Sequence, residues 1–139
     1  MVNPELDQDR AFDLYDTYKK YGYVMFPQQR LIYEQLAARV RYNVVLEVGC
    51  GNGVGTSVLE RSAKRVIGTD KLESNIDFAR QLYPWIQFEV WNIQHLLPLK
   101  GVYDTIVAVE IIEHVADPRA AIANMRSICT ETMWISTPN

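Results

Sequence analysis

The chain is 139 residues long, with 14 lysines and arginines against 17 aspartates and glutamates, a formal net charge of −3. Its length supports one domain with a real core, and its acidic balance supplies no global positive field, so no nucleic-acid partner is expected. Two cysteines make no disulfide framework and no C-x-x-C metal spacing, the polar start MVNPELDQDR does not read as a signal peptide, and no apolar run reaches membrane-spanning length; reduced thiols in a cytoplasmic setting are expected.

Residues 1–42 read as a helical segment packing on the core. Within it, YDTYKKYGYVMF carries Tyr15, Tyr18, Tyr21 and Tyr23, either a lid over a ligand or rings packed on the core. From Pro27 onward Ile32, Leu36 and Val40 recur every four residues, one face of a helix. From Asn43 the pattern changes: NVVLEV, RVIGTD, IQFEVW, YDTIVAVE and TMWIST alternate with helical stretches. The first, second and fourth runs are almost continuously apolar, as parallel strands covered on both faces require. Arg61, Lys64 and Arg65 read as a solvated helix end. The helix between the second and third runs has Leu72, Ile76, Ala79 and Tyr83 on one stripe and stops at Pro84. A later helix starts with Asp117 as N-cap and Pro118 at its first position, with Ile122, Met125 and Cys129 as the expected buried face. The fold class is α/β: an open, doubly wound, Rossmann-like sheet of about five parallel strands over residues 43–139.

Directly after the first strand comes LEVGCGNGVGTSVLE, with glycines at 49, 51, 53 and 55. In doubly wound sheets ligands bind at the carboxyl ends of the strands, and glycines there let a ligand approach the main chain at a helix N-terminus. The dinucleotide frame G-x-G-x-x-G fails, because its last position falls on Val54 or Thr56. No phosphate-loop G-K-[ST] follows either. What fits is E-x-G-x-G-x-G, formed by Glu47, Gly49, Gly51 and Gly53. A carboxylate here would repel a pyrophosphate and favour a cationic ligand.

In this frame the chain resembles the class I S-adenosylmethionine-dependent methyltransferases. YDTIVAVEIIEHVADP and TMWISTPN are similar to segments of the subgroup that includes the ubiquinone-biosynthesis O-methyltransferases. The resemblance runs from about Asn43 to Asn139 and implies S-adenosyl-L-methionine as cofactor. It places Glu47, Gly49, Cys50, Gly51 and Gly53 in the cofactor loop and Asp70 on the ribose hydroxyls. Lys71, or Leu72 in its stead, would cover the adenine, where the family usually has an apolar residue directly after the acid. Asn92 stands where the family has Asp, its carbonyl oxygen still an acceptor for the adenine amino group, and Ile93 would offer its backbone N–H to the ring. Glu110 falls near the methionine end.

Methyl transfer needs alignment and a dry pocket above all, with a base only where the acceptor is protonated. His114, just past the fourth strand, is the candidate base or acceptor-orienting residue; the rival reading is an anchor for the loop that follows. Glu113 reads equally as its structural partner, and no metal constellation is evident. The expected acceptor is a small molecule, oxygen foremost, with nitrogen and carbon open. A non-catalytic cofactor-binding module and another enzyme built on the same scaffold are the alternatives. Members of the resembled family continue with a further helix and two strands. The fifth strand is therefore expected to form a sheet edge bearing Met133, Trp134 and Ile135, open to self-association or a partner chain.

Overall fold

The β-branched runs form β1 (Val44–Val48), β2 (Arg65–Asp70), β3 (Gln87–Val90), β4 (Tyr103–Val109) and β5 (Cys129–Ser136), joined by short helices and turns in a computed structural model that describes residues 27–95 and 102–138. The tyrosine-rich stretch around Tyr15, Tyr18, Tyr21 and Tyr23 lies outside the described residues. All five strands are parallel, in the order β3-β2-β1-β4-β5. The chain thus builds outward from β1 in one direction and then returns to lay β4 on its other side. β1 lies at the centre, where Glu47 stands opposite Gly68 on one side and Val107 on the other.

Side chains alternate along a strand, so β1 serves two cores. Val45 joins the layer formed by α1 (Pro27–Arg39), α2 (Val54–Glu60) and α3 (Glu73–Leu82), in which Tyr33, Leu36, Val40, Leu59, Ile76 and Phe88 are buried. Leu46 and Val48 join the opposite layer with Ile67, Ile106, Ala108 and α4 (Pro118–Ile128). The expected stripe of α3 is seen at Ile76 and Ala79, while Leu72 and Tyr83 cap the helix ends and Asn75 and Phe78 are buried beside them. Pro84 follows directly, and the exposed Arg61, Lys64 and Arg65 surround the turn after α2.

In α4 Asp117 accepts a hydrogen bond from the backbone N–H of Ala120 at 3.0 Å, and Pro118 begins the helix. Its buried face differs from the expected one. Ala121 and Met125 are buried, Ile122 is 37% exposed, and Cys129 has left the helix to begin β5. Residues four apart share a helix face, whereas Ile122 lies about 100° around from Ala121. Met125→Ala should therefore cost about 2–5 kcal/mol, the range for a large apolar side chain removed from a core. Ile122→Ala should cost clearly less, and urea unfolding of the two variants checks the phase of the helix.

Candidate functional site

The strand order reverses between β1 and β4, and an open parallel sheet offers its ligand crevice at that point, outside the carboxyl ends. The turn leaving β1 supplies one wall. Gly49, Gly51 and Gly53 have φ of 70°, 56° and 83°, in the left-handed region that side chains disfavour. At Gly49 a second constraint applies, because a Cβ there would collide with the side chain of Ile111. At Gly53 a Cβ would sit 2.7 Å from the ring of Phe88 and 3.2 Å from the Ala79 methyl. Gly49 and Gly53 therefore answer to packing within the chain as well as to the course of the turn.

Beside this turn lies an open groove. Of the expected residues, Gly49, Asp70, Lys71, Asn92, Ile93 and His114 line it. Val48, Trp91, Gln94, Ile111 and Val115 complete it, none of them singled out from the sequence. Glu47, Cys50, Gly51, Gly53, Leu72 and Glu110 are not on its wall.

Asp70 ends β2 and is 8% exposed. Its Oδ2 accepts from the Gly51 N–H at 3.0 Å, while Oδ1 accepts from the Leu72 N–H at 2.9 Å and the Asn75 amide at 3.4 Å. Burial pushes its carboxyl above the ordinary value, against the opposing pull of these donors. Asp70 thus ties the glycine turn to the start of α3, so Leu72 and Gly51 serve the groove through their backbone. Past β3, the Asn92 carbonyl oxygen accepts from the Gln94 N–H at 3.0 Å, the Ile93 carbonyl accepts from Asn124 at 3.0 Å, and Gln94 accepts from the Asp117 N–H at 2.9 Å. This loop is tied to α4 at two points. A carbonyl oxygen has two lone pairs, so Asn92 keeps one acceptor position beyond its own turn.

Glu47 is fully buried on the α1 side of β1, its two oxygens accepting from the hydroxyls of Tyr33 and Thr56. Loss of solvent outweighs both bonds and, with Asp70 adding repulsion, pushes the carboxyl up to about 7. Burial, first of all, and then the charge of Glu47 push the thiol of Cys50 and the hydroxyl of Tyr33 up as well. Glu110, just past β4, has φ of 53°, and its backbone N–H donates to the Ser136 carbonyl at 3.0 Å. Its carboxylate accepts from the Gln29 amide at 2.9 Å. Among the described residues, no lysine or arginine pairs with Glu47, Asp70 or Glu110. His114 closes the 3₁₀ turn Ile112–His114, its Nε2 lying 3.7 Å from Glu113 Oε1. Tyr33, Thr56 and Gln29 went unnoticed in the sequence. The one signal for Tyr33 and Thr56 was a buried acid at position 47, which must find donors from its neighbours, and nothing marked Gln29.

Glu47 sets a pH dependence of stability. Its carboxyl titrates near 7 when folded and near the ordinary value of 4.5 when unfolded, so between those values the folded chain holds a proton that the unfolded chain has lost. Stability from this group is full below pH 4.5 and declines as pH rises through 7. Denaturant unfolding from pH 4.5 to 8 should show that decline. Glu47→Gln, which carries no titrating proton, should flatten it and leave the smaller slope of Asp70.

The chain matches the family described as methyltransferase domain over residues 46–132. It is 30% identical over 116 residues to a probable S-adenosylmethionine-dependent methyltransferase of Mycolicibacterium smegmatis, covering 82% of this chain and 45% of that protein. It is 32% identical over 103 residues to the ubiquinone biosynthesis O-methyltransferase of Coxiella burnetii, covering 71% of this chain and 44% of that protein. The chain thus spans a little under half the length of these curated relatives. In fold it is similar to the N-methyltransferase NodS of Bradyrhizobium japonicum, solved with S-adenosyl-L-homocysteine, at a TM-score of 0.72 and 24% identity over 93% of this chain and 69% of that one. With a matching segment that contains the glycine turn, Asp70, the groove and His114, the chain belongs to the methyltransferase-domain family.

Proposed function

We propose that the chain binds S-adenosyl-L-methionine in this groove and directs its methyl group to a small-molecule acceptor, with oxygen as the accepting atom. The observation that carries the reading is Asp70, a nearly buried carboxylate beneath the glycine turn at the switch point of a sheet of this family. Its Oδ2 accepts a single bond from the chain, which leaves an acceptor position for a ribose hydroxyl. Asp70 on the groove wall and the half-buried Glu110 also suit a cationic ligand and would repel the pyrophosphate of a dinucleotide. Oxygen is favoured because the Coxiella burnetii relative is named an O-methyltransferase.

The cofactor brings an activated methyl group on a sulfonium; the remaining work is alignment, exclusion of water and, for a hydroxyl acceptor, removal of a proton. Asp70 and Asn92 hold the nucleoside, and Lys71 and Ile93 flank the adenine. His114, on the groove wall near the ends of β4 and the 3₁₀ turn, takes the acceptor's proton as general base. A phenol with a pKa of about 10 needs such help at neutral pH. The free thiols Cys50 and Cys129 fit a cytoplasmic setting, and the described residues contain no helix long and apolar enough to cross a membrane. The outer edge of β5 is the surface we assign to self-association or a partner chain. Ile135 on that strand is 39% exposed, while Trp134 packs against the core layer of α1.

Calorimetry should show binding of S-adenosyl-L-methionine and no binding of NAD. Asp70→Ala should weaken binding by about 1.5–3 kcal/mol, the worth of a hydrogen bond to a charged group. Thermal unfolding of the same variant reports how much of that loss comes from the glycine turn it also holds. Unchanged affinity would remove the ribose assignment. With labelled cofactor and a panel of phenolic acceptors, His114→Ala should lower kcat by about 10²–10⁴-fold and leave cofactor affinity near that of the parent. Full turnover in that variant would return His114 to a loop anchor.

A further inference from the structure

The glycine run contains one member that the cofactor frame does not use. Gly55 lies outside E-x-G-x-G-x-G, inside α2, where glycine weakens a helix. Its surroundings give the reason. A Cβ at position 55 would collide with the ring of Tyr33, so the missing side chain leaves the passage by which Tyr33 crosses α2 and places its hydroxyl on Glu47. One turn earlier on the same face of α1, Gln29 donates its amide to Glu110 at 2.9 Å. Glu47 lies near the end of β1 and Glu110 just past the end of β4, the two strands that flank the switch point. A single face of α1 therefore holds one carboxylate from each side of the crevice.

The donors on that face are neutral. Tyr33 and Thr56 satisfy the oxygens of Glu47 without cancelling its charge, and Gln29 does the same for Glu110. The other titratable groups that bear on Glu47 and Tyr33 are Asp70 from β2, Cys50 from the glycine turn and Glu110 from the end of β4, all negative when ionised. Glu110, half-buried, oriented by a neutral donor and with no lysine or arginine paired to it among the described residues, can receive a cationic group, while Glu47, fully buried, acts on such a group only through its field once ionised.

We propose that Tyr33 and Gln29 are positioning residues for the ammonium-bearing, amino-acid end of the cofactor, acting through Glu47 and Glu110. This rests on the cofactor reading given above and adds α1 to the site. The test compares S-adenosyl-L-homocysteine, which carries the amino-acid end, with adenosine, which lacks it, by calorimetry on the whole chain. Tyr33→Phe and Gln29→Ala should each weaken S-adenosyl-L-homocysteine by about tenfold and leave adenosine within about twofold. Gly55→Ala, which displaces the ring and keeps the hydroxyl, should give the same selective loss. In Tyr33→Phe the loss of S-adenosyl-L-homocysteine affinity on acidification should begin at higher pH, since the Glu47 carboxylate has lost a donor. Gln29 is only partly buried, so its variant still decides the matter if the Tyr33 variants fail to fold. Equal losses for both ligands, or unchanged affinity for S-adenosyl-L-homocysteine, would overturn the positioning role. So would a parent chain that binds adenosine but gains nothing from the amino-acid end. A parent chain that binds neither ligand would overturn the cofactor reading, and this inference with it.

Discussion

A carboxylate at the centre of a parallel sheet is the constraint around which this fold is arranged. Glu47 is fully buried between β2 and β4, and an unpaired charge there would cost several kcal/mol. Apolar packing cannot meet that cost, so the elements on its face of the sheet supply donors. α2 provides the Thr56 hydroxyl and α1 the Tyr33 hydroxyl. Because Tyr33 must pass α2 to arrive, α2 carries glycine where its ring crosses. The position of α1, the composition of α2 and the bare first turn of that helix thus follow from one acid on β1. The two hydroxyls do not restore what water would give, which is why the carboxyl still titrates near 7.

The other side of the switch point is arranged by a different economy. Asp70 and Asn92 end β2 and follow β3, and each spends part of its acceptor capacity on its own backbone. These bonds hold the loops at the carboxyl edge in fixed directions, and preorganised loops lose little freedom when a ligand arrives. The loop after β3 is further tied to α4 through Asn124 and through Gln94. The groove is thus held from both layers of the sheet.

Much of this was legible in the sequence, because its determinants are local. Apolar runs of five to seven residues marked the buried strands, Pro84 and Asp117–Pro118 marked helix ends, and the spacing of Glu47, Gly49, Gly51 and Gly53 marked the crevice. What escaped depends on contacts distant in the chain. Tyr33 lies 14 residues from Glu47 and Gln29 lies 81 from Glu110, and no periodicity in either segment announces the pairing. The phase of α4 escaped for another reason. Ile122 is more apolar than Ala121, yet the smaller residue shares the buried face with Met125, four positions on. Either neighbour could begin an apolar stripe, and the rotation of the helix on the sheet, which sequence pattern does not express, sets the face.

The glycines separate these two kinds of information. A run of four alternating glycines suggests a single purpose, a bare backbone beneath a ligand. In three dimensions they divide: Gly49 yields to Ile111, Gly53 to Phe88 and Ala79, and Gly55 to Tyr33. Ile111 also lines the groove, and Tyr33 also holds Glu47. The space that Gly49 and Gly55 vacate is therefore occupied by side chains that shape the crevice or orient its acids, so the turn contributes to the site through its neighbours. A substitution at Gly55 acts first on Tyr33 and through it on the crevice, whereas one at Gly49, itself on the groove wall, acts both on Ile111 and on whatever the crevice holds.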